Sequence, residues 1–124
     1  MDQPLRILFV EDQPLDAEVL KHQLRKGGLQ FSLKRVVSRE SFQSALKEFR
    51  PHVILSDNNM PHFNGLAALA AAKEGAPDIP FIFLSGAIHE DSRADALRRG
   101  AADYVLKNGP ESIVASIARS LRAK

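Results

Sequence analysis

Apolar residues fall along this chain in two kinds of pattern. Four short runs, Ile7 to Val10, Val53 to Leu55, Phe81 to Leu84 and Tyr104 to Leu106, are rich in Val, Ile, Leu and Phe and bounded by polar or turn residues. Continuous runs of this length are what strands buried on both faces of a parallel sheet show. A fifth segment, Phe31 to Val36, alternates instead, which suits a half-exposed edge strand. Between the strands the apolar period lengthens to that of helices. Val19, Leu20 and Leu24 share one face of the first helix, which Gly27-Gly28 ends. Phe42, Ala45, Leu46 and Phe49 form the i, i+3, i+4, i+7 stripe of the second, stopped by Pro51. The third runs from Leu66 to Lys73, Ala-rich and closed by Gly75 and Pro77, and the fourth from Asp91 to Arg99, terminated by Gly100. Pro110 starts the fifth, whose Ile113, Ile117 and Leu121 sit at i, i+4, i+8.

Five consecutive β-α units, each with a helix long enough for a right-handed crossover, predict a doubly wound α/β sandwich on a five-stranded parallel sheet. With the alternating second strand outside, the strand order is 2-1-3-4-5, and the first and third strands are neighbours at the switch point.

Composition narrows the function classes. A chain of 124 residues, 44% hydrophobic and 26% charged, is the size and make-up of one globular domain, residues 1–124. The absence of Cys removes disulfides, a thiol nucleophile, Cys-ligated zinc and iron–sulfur clusters. No apolar run approaches the roughly 20 residues of a membrane span, and the opening MDQPLRILFVED lacks a cleavage-site pattern, so a cytoplasmic protein without membrane insertion is expected. Seventeen Lys+Arg against 15 Asp+Glu leave a net charge of +2, too slight and dispersed to argue for direct nucleic-acid contact. The last helix reaches Arg122-Ala123-Lys124 with no capping residue, so it either frays or continues into a longer protein. Met1 just ahead of the first strand favours a native N-terminus and places any further domain downstream.

In open α/β sheets ligands bind outside the C-terminal ends of the strands. Glu11-Asp12 follows the first strand, Asp57 ends the third, Ser85 ends the fourth and Lys107 follows the fifth, all on that edge. Three carboxylates brought together repel one another unless protons or a cation offset the cost, and an all-oxygen set suits Mg²⁺. With Mg²⁺ bound, one carboxylate can act as nucleophile toward a phosphoryl group. Lys107 adds a compact positive charge, and the Ser85 hydroxyl a hydrogen-bond donor to a phosphate oxygen.

The segments ILFVEDQPLDAEVL, VILSDNNMPHFNGLAAL, FIFLSGA and GAADYVLK, in this order and over nearly the whole chain, resemble the phosphoacceptor receiver domains of bacterial two-component response regulators. The resemblance implies a flavodoxin-like receiver fold and a phosphorylation-operated signalling switch. In it Asp57 is phosphorylated, Glu11, Asp12 and Asp57 hold Mg²⁺ together with the Asn59 backbone carbonyl, and Ser85 and Lys107 contact the phosphoryl group. Tyr104 matches the aromatic that rotates inward as Ser85 moves, and Met60-Pro61 with Gly65 matches the loop after the acceptor. The implied donor is a sensor histidine kinase or phosphotransfer protein. The implied readers are a downstream output domain or protein and a phosphorylation-linked homodimer, through the face of the fourth helix, fifth strand and fifth helix. Such a domain speeds its own phosphorylation and dephosphorylation and is not an enzyme with an independent substrate. Two positions depart from the pattern. Asn108 stands where Pro commonly follows the Lys, so the loop from Lys107 to Pro110 is expected to take another path, and Ser85 stands where Thr is commoner.

Plainer readings exist for the same residues: a cap or turn acid for Asp57, a solvated turn or an N-cap of the first helix for Glu11-Asp12, and edge-strand packing for Tyr104 with its hydroxyl in water. His22, His52, His62 and His89 lack metal-ligand spacing and read as surface residues. Arg93, Arg98, Arg99, Arg119 and Arg122 fit either a solvated basic face or an acidic partner. Three other functions compete. A phosphate-independent scaffold would normally have lost an acid or the Lys, and none is missing. An aspartyl-phosphate phosphatase of the haloacid-dehalogenase type wants a general acid where Asn59 stands. An FMN protein would meet acids where its phosphate binds.

Overall fold

The computed structural model describes residues 4–58, 63–107 and 109–123. The apolar runs form five strands, β1 (Leu5–Val10), β2 (Phe31–Val36), β3 (Val53–Asp57), β4 (Phe81–Ser85) and β5 (Asp103–Leu106). They alternate with α1 (Pro14–Lys26), α2 (Arg39–Glu48), α3 (Gly65–Gly75), α4 (Glu90–Arg98) and α5 (Pro110–Arg122). All strand pairs are parallel and the order is β2-β1-β3-β4-β5, as the pattern predicts.

Strand parity explains why the runs are continuous. Successive side chains point to opposite faces, so each run feeds two cores at once. Leu8, Val10, Ile54, Phe81, Phe83 and Tyr104 pack with Phe42 of α2, Ala68 and Leu69 of α3, and Ala96 of α4. Ile7, Phe9, Val53, Leu55, Ile82, Leu84 and Val105 pack on the other face with α1 and α5. Each fully buried large side chain contributes roughly 1.5–3 kcal/mol, and the strands share this between two layers.

The first helix seats differently from expectation. Ala17, Leu20 and Leu24 are its buried residues, spaced i, i+3, i+7, whereas Val19 sits on its flank, 48% exposed. Leu121 of α5 is only partly buried, unlike Ile113 and Ile117. Element ends also move: β3 continues through Ser56 to Asp57, α3 begins at Gly65 and runs to Gly75, and α4 spans Glu90–Arg98. Gly28, at φ 83°, closes α1 in the left-handed region as the Leu29 N–H returns to the Leu24 carbonyl. Ser38 caps α2 reciprocally with Ser41, a local signal that apolar periodicity does not carry.

Candidate functional site

The C-terminal edge of the sheet is held rigidly by bonds that run past the strands themselves. The Glu11 N–H donates to Val36 O at 3.1 Å, the Asn58 N–H to Leu84 O at 3.1 Å, and the Lys107 N–H to Ser85 O at 2.7 Å. Glu11, Asp57 and Lys107 therefore sit on backbone the sheet continues to fix. Behind Asp57 the start of α3 comes unusually close. A Cβ at Gly65 would overlap the Phe83 ring and stand 3.2 Å from the Asp57 carbonyl, so only glycine admits this approach.

Three acids converge there. Glu11 is wholly buried, Asp57 is 9% exposed and Asp12 is half-buried, and each offers an oxygen within 4.8 Å of the others. Glu11 Oε2 accepts from the Gln13 N–H at 3.1 Å and Oε1 from Lys107 Nζ at 3.1 Å. Lys107 also contacts Asp16 Oδ2 at 2.8 Å and Asp57 Oδ1 at 3.5 Å. Among the described residues one ammonium thus reaches three carboxylates. Burial, helped by the charge on Asp57, pushes Glu11 up to about 7 although Gln13 and Lys107 pull the other way. The Lys107 ammonium, despite burial, is held well above the usual lysine range by Asp16 and Glu11, with Asp57 and Glu11 adding through charge. Among the described residues the carboxylates of the cluster outnumber its cations. Its hard, all-oxygen donors fit a small divalent cation of the Mg²⁺ type, which takes a few carboxylates and keeps several waters.

The remaining expected residues divide. Ser85 is on the same edge, but its hydroxyl donates to Ala87 O at 2.6 Å. Tyr104 is buried at 3% exposure against Phe83, and its hydroxyl accepts from Asn58 Nδ2 at 3.1 Å, so the packing reading that left the hydroxyl in water is corrected. The Asn59 carbonyl, Met60-Pro61, His62 and the Asn108 path lie outside the described residues. His22 and His89 are exposed, as read, whereas His52 is part-buried and not a simple surface residue. Its ring Nδ1 accepts the Arg6 backbone N–H at 2.9 Å while the His52 backbone N–H donates to Arg6 O at 2.8 Å, an anchor between β1 and the start of β3. The basic face is partly neutralised from within, by Arg98 and Arg99 on Asp95, Arg93 on Glu90 and Arg119 on Asp103.

Asp16 is the site residue that pattern reading passed over. It stands in the first turn of α1, where an acid is expected for the helix dipole alone. The available signal was Pro14, which starts the helix just after Glu11-Asp12 and sets Asp16 over the strand edge.

Among curated proteins, the chain is 35% identical over 97% of its length to a protein-glutamate methylesterase/protein-glutamine glutaminase of Archaeoglobus fulgidus, covering 35% of that protein. It is 37% identical over 83% of its length to the transcriptional regulatory protein MalR of Bacillus subtilis, covering 44% of it. The chain therefore spans between about a third and a half of the length of these relatives. The receiver domain of a sensor histidine kinase from Pseudomonas aeruginosa, solved with magnesium coordinated in its active-site cleft, superposes with a TM-score of 0.79. The match covers 97% of this chain and 99% of that one at 24% identity, a likeness of fold. The family model described as the response regulator receiver domain matches residues 7–118, from the second residue described in β1 after Leu5 to the last turns of α5. An acid cluster at the switch point of a β2-β1-β3-β4-β5 sheet and a match of this extent lead to one conclusion: the chain belongs to the response regulator receiver domain family, the signalling switches of two-component systems.

Proposed function

We propose that Asp57 is the phosphoacceptor of this switch. The observation that carries the reading is the convergence of acids on one ammonium: a nearly buried carboxylate at a strand end, beside a wholly buried Glu11, with Lys107 within reach of both. An Asp57 carboxylate oxygen attacks the phosphorus of a phosphorylated histidine kinase or phosphotransfer protein. The P–N bond to the donor imidazole breaks, an acyl phosphate forms on Asp57, and the imidazole leaves with its electron pair. Glu11, Asp12 and Asp57, with the Asn59 carbonyl, would hold Mg²⁺, whose charge offsets that of the transferring oxygens. Lys107 supplies the fixed ammonium toward a phosphoryl oxygen.

Ser85 must exchange partners for this role. Its hydroxyl leaves Ala87 O and donates to the phosphoryl group, and Tyr104, packed inward with its hydroxyl on Asn58, follows that movement. The change reaches partners through α4, β5 and α5. The donor, the reader and a phosphorylation-linked homodimer are all protein contacts of a cytoplasmic chain. Among the described residues no helix is long and apolar enough to cross a membrane. Because the curated relatives are two to three times longer, we assign the output to something beyond these 124 residues, an attached domain or a separate protein.

The test is intact mass after incubation with acetyl phosphate, with and without Mg²⁺, beside Asp57→Asn. A labile gain of one phosphoryl group that needs Mg²⁺ and vanishes in the variant is expected. A folded, Mg²⁺-binding protein that gains nothing would instead be a phosphate-independent scaffold.

A further inference from the structure

Lys107 is closer to another acid than to the acceptor it serves. Its Nζ lies 2.8 Å from Asp16, 3.1 Å from Glu11 and 3.5 Å from Asp57. Only the first two distances are those of a hydrogen bond to an ammonium. Asp16 reaches the lysine from the first turn of α1, 91 residues away in the chain. It is also set apart chemically. Glu11 and Asp57 belong to the trio of carboxylates within 4.8 Å of one another, and Asp16 does not. A divalent cation in the trio draws on the oxygens of Glu11 and Asp57 and repels the ammonium that now shares them. Asp16 then remains as the carboxylate that belongs to Lys107 alone.

We infer that Asp16 is a positioning residue: it holds the Lys107 ammonium beside the acceptor while the cation takes the Glu11, Asp12 and Asp57 oxygens, and so keeps two positive charges in adjacent places. The inference rests on reading Asp57 as the phosphoacceptor. Without Asp16, Lys107 falls back on Glu11 and Asp57 and competes with the cation. An acid that merely favoured the start of α1 would act equally whether or not Lys107 were present.

A double-mutant cycle separates the two roles. The Mg²⁺ dissociation constant is measured by calorimetric titration for wild type, Asp16→Ala, Lys107→Met and the double variant. Phosphoryl gain from acetyl phosphate is timed at saturating Mg²⁺. Asp16 is half-buried in a helix, and Ala keeps that helix; Asp16→Asn preserves the shape as a second variant. A half-exposed pair sets the scale at about two- to fivefold. Asp16→Ala is expected to weaken Mg²⁺ binding about fivefold in the wild-type background and less than about twofold beside Lys107→Met. It also slows phosphoryl gain about threefold. Asp16→Glu restores part of both. Equal factors in the two backgrounds, no change, or faster phosphoryl gain would overturn the inference. Absence of phosphoryl gain in wild type would count against the phosphoacceptor reading, while the Mg²⁺ titration still reads the coupling of Asp16 to Lys107.

Discussion

Two clusters of carboxylate and cation lie at opposite edges of the same sheet, and they are balanced in opposite ways. At the C-terminal edge Glu11, Asp16 and Asp57 share one ammonium, and burial holds Glu11 up at about 7. At the N-terminal end of β5 a single acid, Asp103, is met by three donors, one of them a cation. Ser116 Oγ donates to it at 2.6 Å, Arg119 Nη2 at 2.7 Å and the Tyr104 N–H at 2.8 Å. Burial alone would raise Asp103, yet Ser116, Tyr104 and Arg119 together hold it below the usual carboxylate range. The second cluster is closed and staples β5 to α5. In the first, carboxylates outnumber cations among the described residues, and that excess of negative charge suits a bound cation.

The sharpest way to break that contrast is to titrate Glu11 in the cation-free chain. Unfolded, its carboxyl ionises near 4.5; folded, near 7. Between those values the folded state binds more protons than the unfolded one. The Glu11 contribution to stability is therefore fully present below about 4.5 and is lost as pH rises through 7. For a wholly buried group this amounts to about 3 kcal/mol. In EDTA, urea unfolding is expected to show wild type losing stability from pH 5 to pH 8, and Glu11→Gln staying level. Saturating Mg²⁺ should reverse the loss, because it binds the folded state. A wild type equally stable at both values in EDTA would mean that the first cluster carries no such excess.

How much of this was legible in the sequence depends on how local the cause is. Ile7-Leu8-Phe9-Val10 reads as a two-faced strand because parity alone sorts its side chains, and Glu11, Asp57, Ser85 and Lys107 follow because strand ends place them. Val19 was misplaced against the helical period itself: Ala17, Leu20 and Leu24 stand at i, i+3, i+7 on one stripe, whereas Val19 is the immediate neighbour of Leu20, roughly 100° further round the helix. Asp16 with Lys107, and His52 with Arg6, are pairs 91 and 46 residues apart that no periodicity links. Ser38 and Ser41 differ: their capping box is local and could have been read.

The closed cluster predicts a smaller effect of opposite sign. Asp103→Asn keeps the shape and can still accept from Ser116 or the Tyr104 amide, but loses the charge that faces Arg119. Arg119 is 57% exposed, so solvent screens the pair and the loss at pH 7 is about 1 kcal/mol. A carboxyl lowered by folding stabilises above its ordinary value of 3.8, and that stability disappears as pH falls through the lower folded value. Wild type and variant should thus differ in thermal midpoint at pH 7 and converge toward acid, with Mg²⁺ affinity unchanged. A variant that weakened Mg²⁺ binding would show the two edges to be coupled.

The smallest effect belongs to α4, where pairing is neither an excess of acid nor a staple. Asp95 accepts from Arg99 Nε and Arg98 Nη2, both at 3.0 Å, and these bonds, that from Arg99 foremost, lower its carboxyl. Both arginines are mostly exposed, at 57% and 71%. Exposed pairs give back in side-chain entropy and hydration most of what they gain in attraction, and salt screens the remainder. Asp95→Ala should therefore leave the thermal midpoint unchanged within error. The Asp95 titration followed by NMR should move back toward its ordinary value as salt is raised, since screening removes the attraction without unfolding the helix. A clear loss of stability would class Asp95 with Asp103 as a staple. An unchanged midpoint leaves Arg98 and Arg99 as charges held in place at little energetic consequence, on the face proposed to meet the partner.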